Sequence, residues 1–242
     1  YIAVTGVQTC ALPIWLCELL EAKLPSEERD KCVTITNGYD PEDLRAPQPR
    51  QDVFLVSYFG TVYGKGFPMS LFNAVRHLAE RDEGFARAVR LRIVGEVHRG
   101  VRQAVDEMFD DERLSVRPYV PHSEMLDLLA ETQVLTLVIN DFPHNTATVP
   151  GKLYEYLPTG NPILAVGPPK GDAARMLGDA GAGHMFGADD QAGMERFLME
   201  AHEAWTRGRL NEGTRDLPAF RRDRLASQLA EVLEAAGGSP PS

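Results

Sequence analysis

Lys152 and Glu155 stand three residues apart in the stretch NDFPHNTATVPGKLYEYLPTGNPILAV, a spacing that puts an ammonium and a carboxylate on one face of a helix. Thr148, Val149, Pro150 and Gly151 lead into that helix, Pro158 stops it, and Gly160 turns the chain toward the apolar run ILAV. A carboxylate placed there can accept hydrogen bonds from a ribose diol, while the positive helix end and Lys152 face a pyrophosphate. The same spacing also describes an exposed ion pair worth about 0.2–0.5 kcal/mol. The local residues leave both readings open.

Three further loops carry groups of interest. In FGTVYGKGFP, Gly60, Gly64 and Gly66 follow an apolar run, so backbone N–H groups of the loop can approach phosphate oxygens and Lys65 can neutralise a departing diphosphate. The loop matches neither GxGxxG nor GxxxxGK[ST], and taken alone it reads as a bare strand-to-helix turn. After LSVRPYV, Tyr119 and Val120 precede Pro121 and a helix carrying Met125, whose thioether suits core filling. After VRLRIVG come Gly95 and Glu96, with Gly95 read as a packing or turn glycine. His98, His122 and His144 are each placed in loops without a neighbouring ligand or nucleophile, which disfavours metal and triad chemistry. Asp189 and Asp190 read as a helix cap.

These loops need a scaffold. The runs VTIT, VFLVSYF, VRLRIVG, LSVRPYV, VLTLVI and NPILAV alternate with segments whose apolar residues recur every three or four positions. That alternation predicts an α/β fold with a mostly parallel sheet covered on both faces, and ligand loops at the carboxyl ends of its strands. Helices are expected at Phe67 to Glu80, Val101 to Phe109, Ser123 to Ala130, Lys152 to Leu157, Ala173 to Leu177, Gln191 to Trp205 and Phe220 to Ala235. Pro68 suits a first helical turn, and Ser123 is expected to cap its helix.

The formal net charge of -10 excludes a dominant nucleic-acid-binding surface, because phosphate contacts need clustered cations. Cys10, Cys17 and Cys32 lack metal-ligand spacing and are odd in number, which points to reduced thiols and a cytoplasmic setting. The opening residues read differently from the rest. Val4 to Ile14, VTGVQTCALPI, resembles a translated sequencing adaptor, so residues 1–14 are treated as an artefactual segment, with an apolar strand as the alternative.

NGYD at Asn37 to Asp40, the GTVYGKG loop, IVGE at Ile93 to Glu96 and PGKLYEYLPTGNPILAV resemble, in order and spacing, the C-terminal domain of family 4-like glycosyltransferases. Its most specific element is K-x-x-E-Y-x-x-x-G-x-P at Lys152 to Pro162. The resemblance implies a Rossmann-like, three-layer parallel sheet forming one half of a GT-B architecture. It divides the chain into 15–32, a remnant of the interdomain region, 33–217, the nucleotide-sugar-binding domain, and 218–242, a C-terminal crossing helix and tail. Lys65 and Glu155 are its implied catalytic residues. Gly60, Thr61, Lys65, Gly95, Tyr119, Val120, Met125, Val149, Pro150, Gly151, Lys152 and Glu155 are its implied donor contacts.

The intact enzyme would move a sugar, with retention, from a nucleoside-diphosphate sugar to a glycan or lipid acceptor, without a metal or other cofactor. This chain would lack the N-terminal acceptor domain and transfer nothing alone. Nucleic acid is not an expected partner, and contact with the inner membrane face would come only through missing parts. Two departures stand out: Ala147 replaces a glutamate common in relatives, and Thr61 replaces an arginine. A nucleotide-sugar epimerase and a non-catalytic nucleotide-binding module are the alternative readings.

Overall fold

The computed structural model describes residues 2–4, 7–10, 21–26, 32–48, 50, 52–64, 67–110, 112–140, 142, 145–210 and 213–237. Three short strands stand apart from the main sheet: β1 (Ile2–Val4), β2 (Val7–Cys10) and β3 (Cys32–Thr34). β1 is antiparallel to β2, and β2 is parallel to β3. The run VTIT therefore pairs with the opening segment rather than with the central sheet. Residues 2–4 and 7–10 are thus strands, which does not bear on the segment's origin.

The main sheet holds six parallel strands: β4 (Phe54–Phe59), β5 (Val89–Val94), β6 (Leu114–Arg117), β7 (Val134–Val138), β8 (Ile163–Val166) and β9 (Gly183–Phe186). Their order is β6-β5-β4-β7-β8-β9. Chain order thus reverses between β4 and β7, and successive connections depart from that line in opposite directions. In doubly wound sheets a crevice opens at the carboxyl ends of the strands at this switch point.

Strand periodicity of two separates the two faces. Leu164 and Val166 pack with Phe54, Val56, Val89, Leu91 and Ile93 against helices α1 (Ser70–Arg81), α2 (Glu83–Ala88), α3 (Arg99–Met108) and α7 (Gln191–Thr206). Ile163 and Ala165 pack with Leu135 and Leu137 against α4 (His122–Ala130), α5 (Gly151–Tyr156) and α6 (Asp172–Asp179). The result is a three-layer α/β fold, as the alternating pattern predicts. A last helix, α8 (Arg222–Gly237), follows a 3-10 turn at Pro218–Phe220.

Local expectations hold where a terminator is chemically explicit. Asp190 caps α7, its Oδ1 accepting from Gly193 N–H at 2.9 Å. Gly160 ends the 3-10 turn after α5 in the left-handed region at φ 85°. Elsewhere the boundaries shift. Pro68 lies outside α1, which begins at Ser70. Ser123 does not cap α4; Pro121 occupies the N-cap, and His122 is the first helical residue. Sequence reasoning missed α2 and β9, the first a six-residue helix and the second a glycine-led strand without an apolar run.

Polar groups inside the sheet are held rather than exposed. Gln133 accepts from Leu55 N–H at 2.7 Å through Oε1 and donates from Nε2 to Arg50 O at 2.7 Å, completing the entry to β4. His202 is buried with its ring 5.3 Å from those of Phe54 and Phe85, and burial depresses its pKa below the ordinary value despite the carboxylates of Asp82 and Glu203. A base depressed in the folded state contributes stability that is present above its unfolded pKa and lost as pH falls through the folded one. The urea midpoint should therefore decline as pH falls below about 6.5, the ordinary imidazole value. In a His202→Leu variant the decline should be shallower; an equally steep one would show that His202 does not titrate with unfolding.

Candidate functional site

The carboxyl rim of the sheet is laced together by backbone bonds. Gly60 N–H donates to Val94 O at 2.9 Å, Val62 N–H to Glu96 O at 2.8 Å, and Gly95 N–H to Arg117 O at 2.9 Å. The glycine loop after β4 thus continues the ladder with the loop after β5. The amides of Gly60 and Val62 therefore serve the ladder. The alternation of an extended backbone leaves Thr61 N–H between them outside that ladder, and no hydrogen bond engages it among the described residues.

Two features hold this turn. The Tyr58 hydroxyl donates to Thr61 O at 3.2 Å, and burial pushes the phenol up to about 12, so it remains a donor at neutral pH. Gly95 adopts φ 136°, and a Cβ there would collide with the Gly60 carbonyl oxygen. The glycine read as a packing residue is therefore needed for close approach of two loops.

Between these loops and the helices of the second face lies a cleft of about 410 Å³. Gly60, Thr61, Gly95, Tyr119, Val120, Met125 and Lys152 line it, together with Glu96 and His122. Tyr119 is 81% exposed there. Met125 is both core and lining: it is buried in the second-face cluster, and its Sδ lies 2.8 Å from Lys152 Nζ. Neither Glu96 nor His122 was singled out as a ligand residue from the sequence. For Glu96 a signal existed in its place directly after a strand-ending glycine; for His122 there was none.

Lys152 Nζ lies 3.0 Å from Glu155 Oε2, with the two side chains 33% and 26% exposed. Glu155 does not line the main cleft. It lines a smaller adjoining cavity of about 30 Å³ with Asp40, Asp43 and His122, and His122 lines both spaces. Pro150 occupies the N-cap of α5 and accepts from Leu153 N–H at 2.9 Å; Gly151 is the first helical residue, and Val149 packs against the second-face core. These three residues lead into Lys152 without lining the cleft. Lys65 and His144 lie outside the described residues. Among the described residues no group of three or more His, Cys, Asp and Glu side chains is placed to hold a metal ion.

No family model matches the chain, and no curated protein matches it. Solved structures do. TarM is similar with a TM-score of 0.62 at 13% identity, over 96% of this chain and 44% of that one. The lipopolysaccharide outer core galactosyltransferase WaaB is similar with a TM-score of 0.63 at 15% identity, over 95% and 62%. WaaG, a glycosyltransferase involved in lipopolysaccharide biosynthesis, gives 0.56 at 13% identity, over 87% and 57%. The fold is that of a Rossmann-like GT-B glycosyltransferase domain. The chain spans less than two thirds of the length of each of these proteins.

Proposed function

We propose that this chain is the nucleotide-sugar-binding half of a glycosyltransferase that, when intact, transfers a sugar with retention from a nucleoside-diphosphate sugar to an acceptor alcohol on a glycan or lipid. One observation carries the reading: at the switch point of the sheet, Lys152 and Thr61, whose amide no hydrogen bond engages among the described residues, line one cleft, and Lys152 is joined to a carboxylate beside it. Amide and ammonium are the donors a diphosphate needs, and charge that grows on it as the sugar departs is stabilised where such donors are already oriented. Lys65, on the same glycine loop, is assigned to the same diphosphate. Glu155 is assigned to the ribose. Support of a second kind comes from TarM, a variant of which has been solved with UDP and has a fold similar to this one at 13% identity.

The acceptor would be bound by a further domain outside this sequence, so the chain alone is expected to bind donor weakly and transfer nothing. Helix α8 is assigned to that domain's surface, since Leu225, Leu229 and Val232 on it are only half-buried and Leu233 is 40% exposed. Metal is not needed for the chemistry proposed. Among the described residues no helix is long and apolar enough to cross a membrane. Attachment at the inner membrane face is assigned to parts beyond this chain. Ala147 favours a second reading, a non-catalytic nucleotide-binding module, because the 3-10 turn Asn145–Ala147 presents no carboxylate toward a donor sugar.

A titration of the chain with UDP, GDP and their sugar conjugates tests the proposal. Lys152→Met keeps the length of the side chain and removes its charge. It should weaken binding of the diphosphates by about tenfold, the scale of one charged hydrogen bond, and leave the affinity for free nucleosides within about twofold. Equal loss on nucleoside and diphosphate would place Lys152 away from the phosphates.

A further inference from the structure

His122 opens α4 and lines both the main cleft and the smaller cavity beside Glu155. Its Nε2 lies 3.0 Å from Asp43 Oδ2, a residue 79 positions earlier in the chain. Asp43 is itself held in place, because it ends the 3-10 turn Pro41–Asp43, whose start is capped by Asp40 Oδ1 accepting from Glu42 N–H at 3.0 Å. A carboxylate on one ring nitrogen sets the orientation of an imidazole and leaves the other nitrogen for a ligand. The other carboxylates near the start of α4 are engaged elsewhere: Glu124 with Arg117 at 2.6 Å and Asp127 with Arg45 at 3.5 Å.

The position of this histidine along the cleft gives it a ligand class. Gly60 and Thr61 follow β4, whereas Tyr119, Val120 and His122 follow β6, two strand positions away. Two interstrand spacings are about 10 Å, close to the reach from a diphosphate to its nucleoside. We propose that His122 is a specificity-determining residue that hydrogen-bonds the nucleoside part of the donor, and that Asp43 is the residue positioning it. The inference rests on the donor-binding reading and deepens it, since no property of the glycine loop or of Lys152 requires His122 to touch ligand.

The test is a titration of the full chain and of His122→Ala, Asp43→Ala and the double variant with UDP, UMP, GDP, GMP and inorganic pyrophosphate. Loss of one hydrogen bond should weaken the preferred nucleoside diphosphate and its monophosphate by the same factor, about five- to tenfold, and leave pyrophosphate unchanged. Asp43→Ala should weaken both nucleotides by about threefold and add nothing in the His122→Ala background, as a residue acting through His122 must. Unchanged nucleotide affinity in His122→Ala, a larger loss on diphosphate than on monophosphate, or a further loss in the double variant would overturn the assignment. If the unsubstituted chain binds none of the nucleotides, the donor-binding reading fails first and the inference with it. Binding by the unsubstituted chain with no effect of His122→Ala sinks the inference alone.

Discussion

Gly95→Ala is expected to lower the thermal midpoint by roughly 10 °C and to abolish measurable nucleotide binding. Two costs combine at this residue. Its φ of 136° is a conformation that alanine adopts only at about 1–3 kcal/mol, and the added methyl would collide with the Gly60 carbonyl oxygen. Relief requires the loops after β4 and β5 to separate, which strains the bonds from Gly60 N–H to Val94 O and from Val62 N–H to Glu96 O. A total near 3–4 kcal/mol corresponds to roughly 10 °C for a domain of this size. The same movement displaces Thr61, so the cleft loses an anion donor as the fold loses stability. Gly178→Ala is the matched control: it lies inside α6 with nothing within 4 Å of an added Cβ, and the change should raise stability by up to about 1 kcal/mol. Calorimetric melting of the two variants checks both. A midpoint for Gly95→Ala within about 2 °C of the unsubstituted chain would mean that the two loops are not in contact.

Glu155→Ala is expected to weaken nucleoside diphosphate binding by about 10- to 150-fold while leaving the melting midpoint nearly unchanged. The asymmetry follows from exposure. The ion pair with Lys152 is partly solvated, so its loss costs the fold only about 0.2–0.5 kcal/mol. A carboxylate accepting from a ribose diol is a charged hydrogen bond to ligand, worth about 1.5–3 kcal/mol. Because Glu155 lines the smaller cavity rather than the main cleft, its engagement by ribose requires the Lys152–Glu155 contact to open, Lys152 turning to the phosphates as the carboxylate turns to the sugar. The affinity of the variant for a 2′,3′-dideoxy nucleotide should then equal that of the unsubstituted chain. Calorimetry with ribose and dideoxy forms measures this directly, and an equal drop on both would remove the ribose contact from the proposal.

How much of this was readable in advance depends on the range of the interaction involved. The six central strands, apart from β9, were legible because continuous apolar runs such as VFLV and ILAV can be satisfied only under helices on both faces. The turn after α5 was legible because Pro158 and Gly160 act on their own backbone. β9 was not, since GHMF shows no periodicity and its pairing depends on β8 already lying beside it. The expected cap at Ser123 failed because Pro121, two residues earlier, also satisfies the start of a helix, and local chemistry does not rank the two.

The same distinction governs the site. From the residues alone came an α/β chain with its candidate groups on strand-ending loops, Lys152 and Glu155 on one helical face, and Gly95 as a glycine for packing or a turn. Only the assembled sheet decided which of those groups meet. Strand order carried Thr61, Tyr119 and Lys152 to one cleft; register used the amides of Gly60 and Val62 and left that of Thr61; the Pro41–Asp43 turn brought a carboxylate to His122 from 79 positions away. Periodicity reports what a segment does to itself within a turn or two of chain, whereas convergence depends on the placement of segments that have no sequence contact with each other.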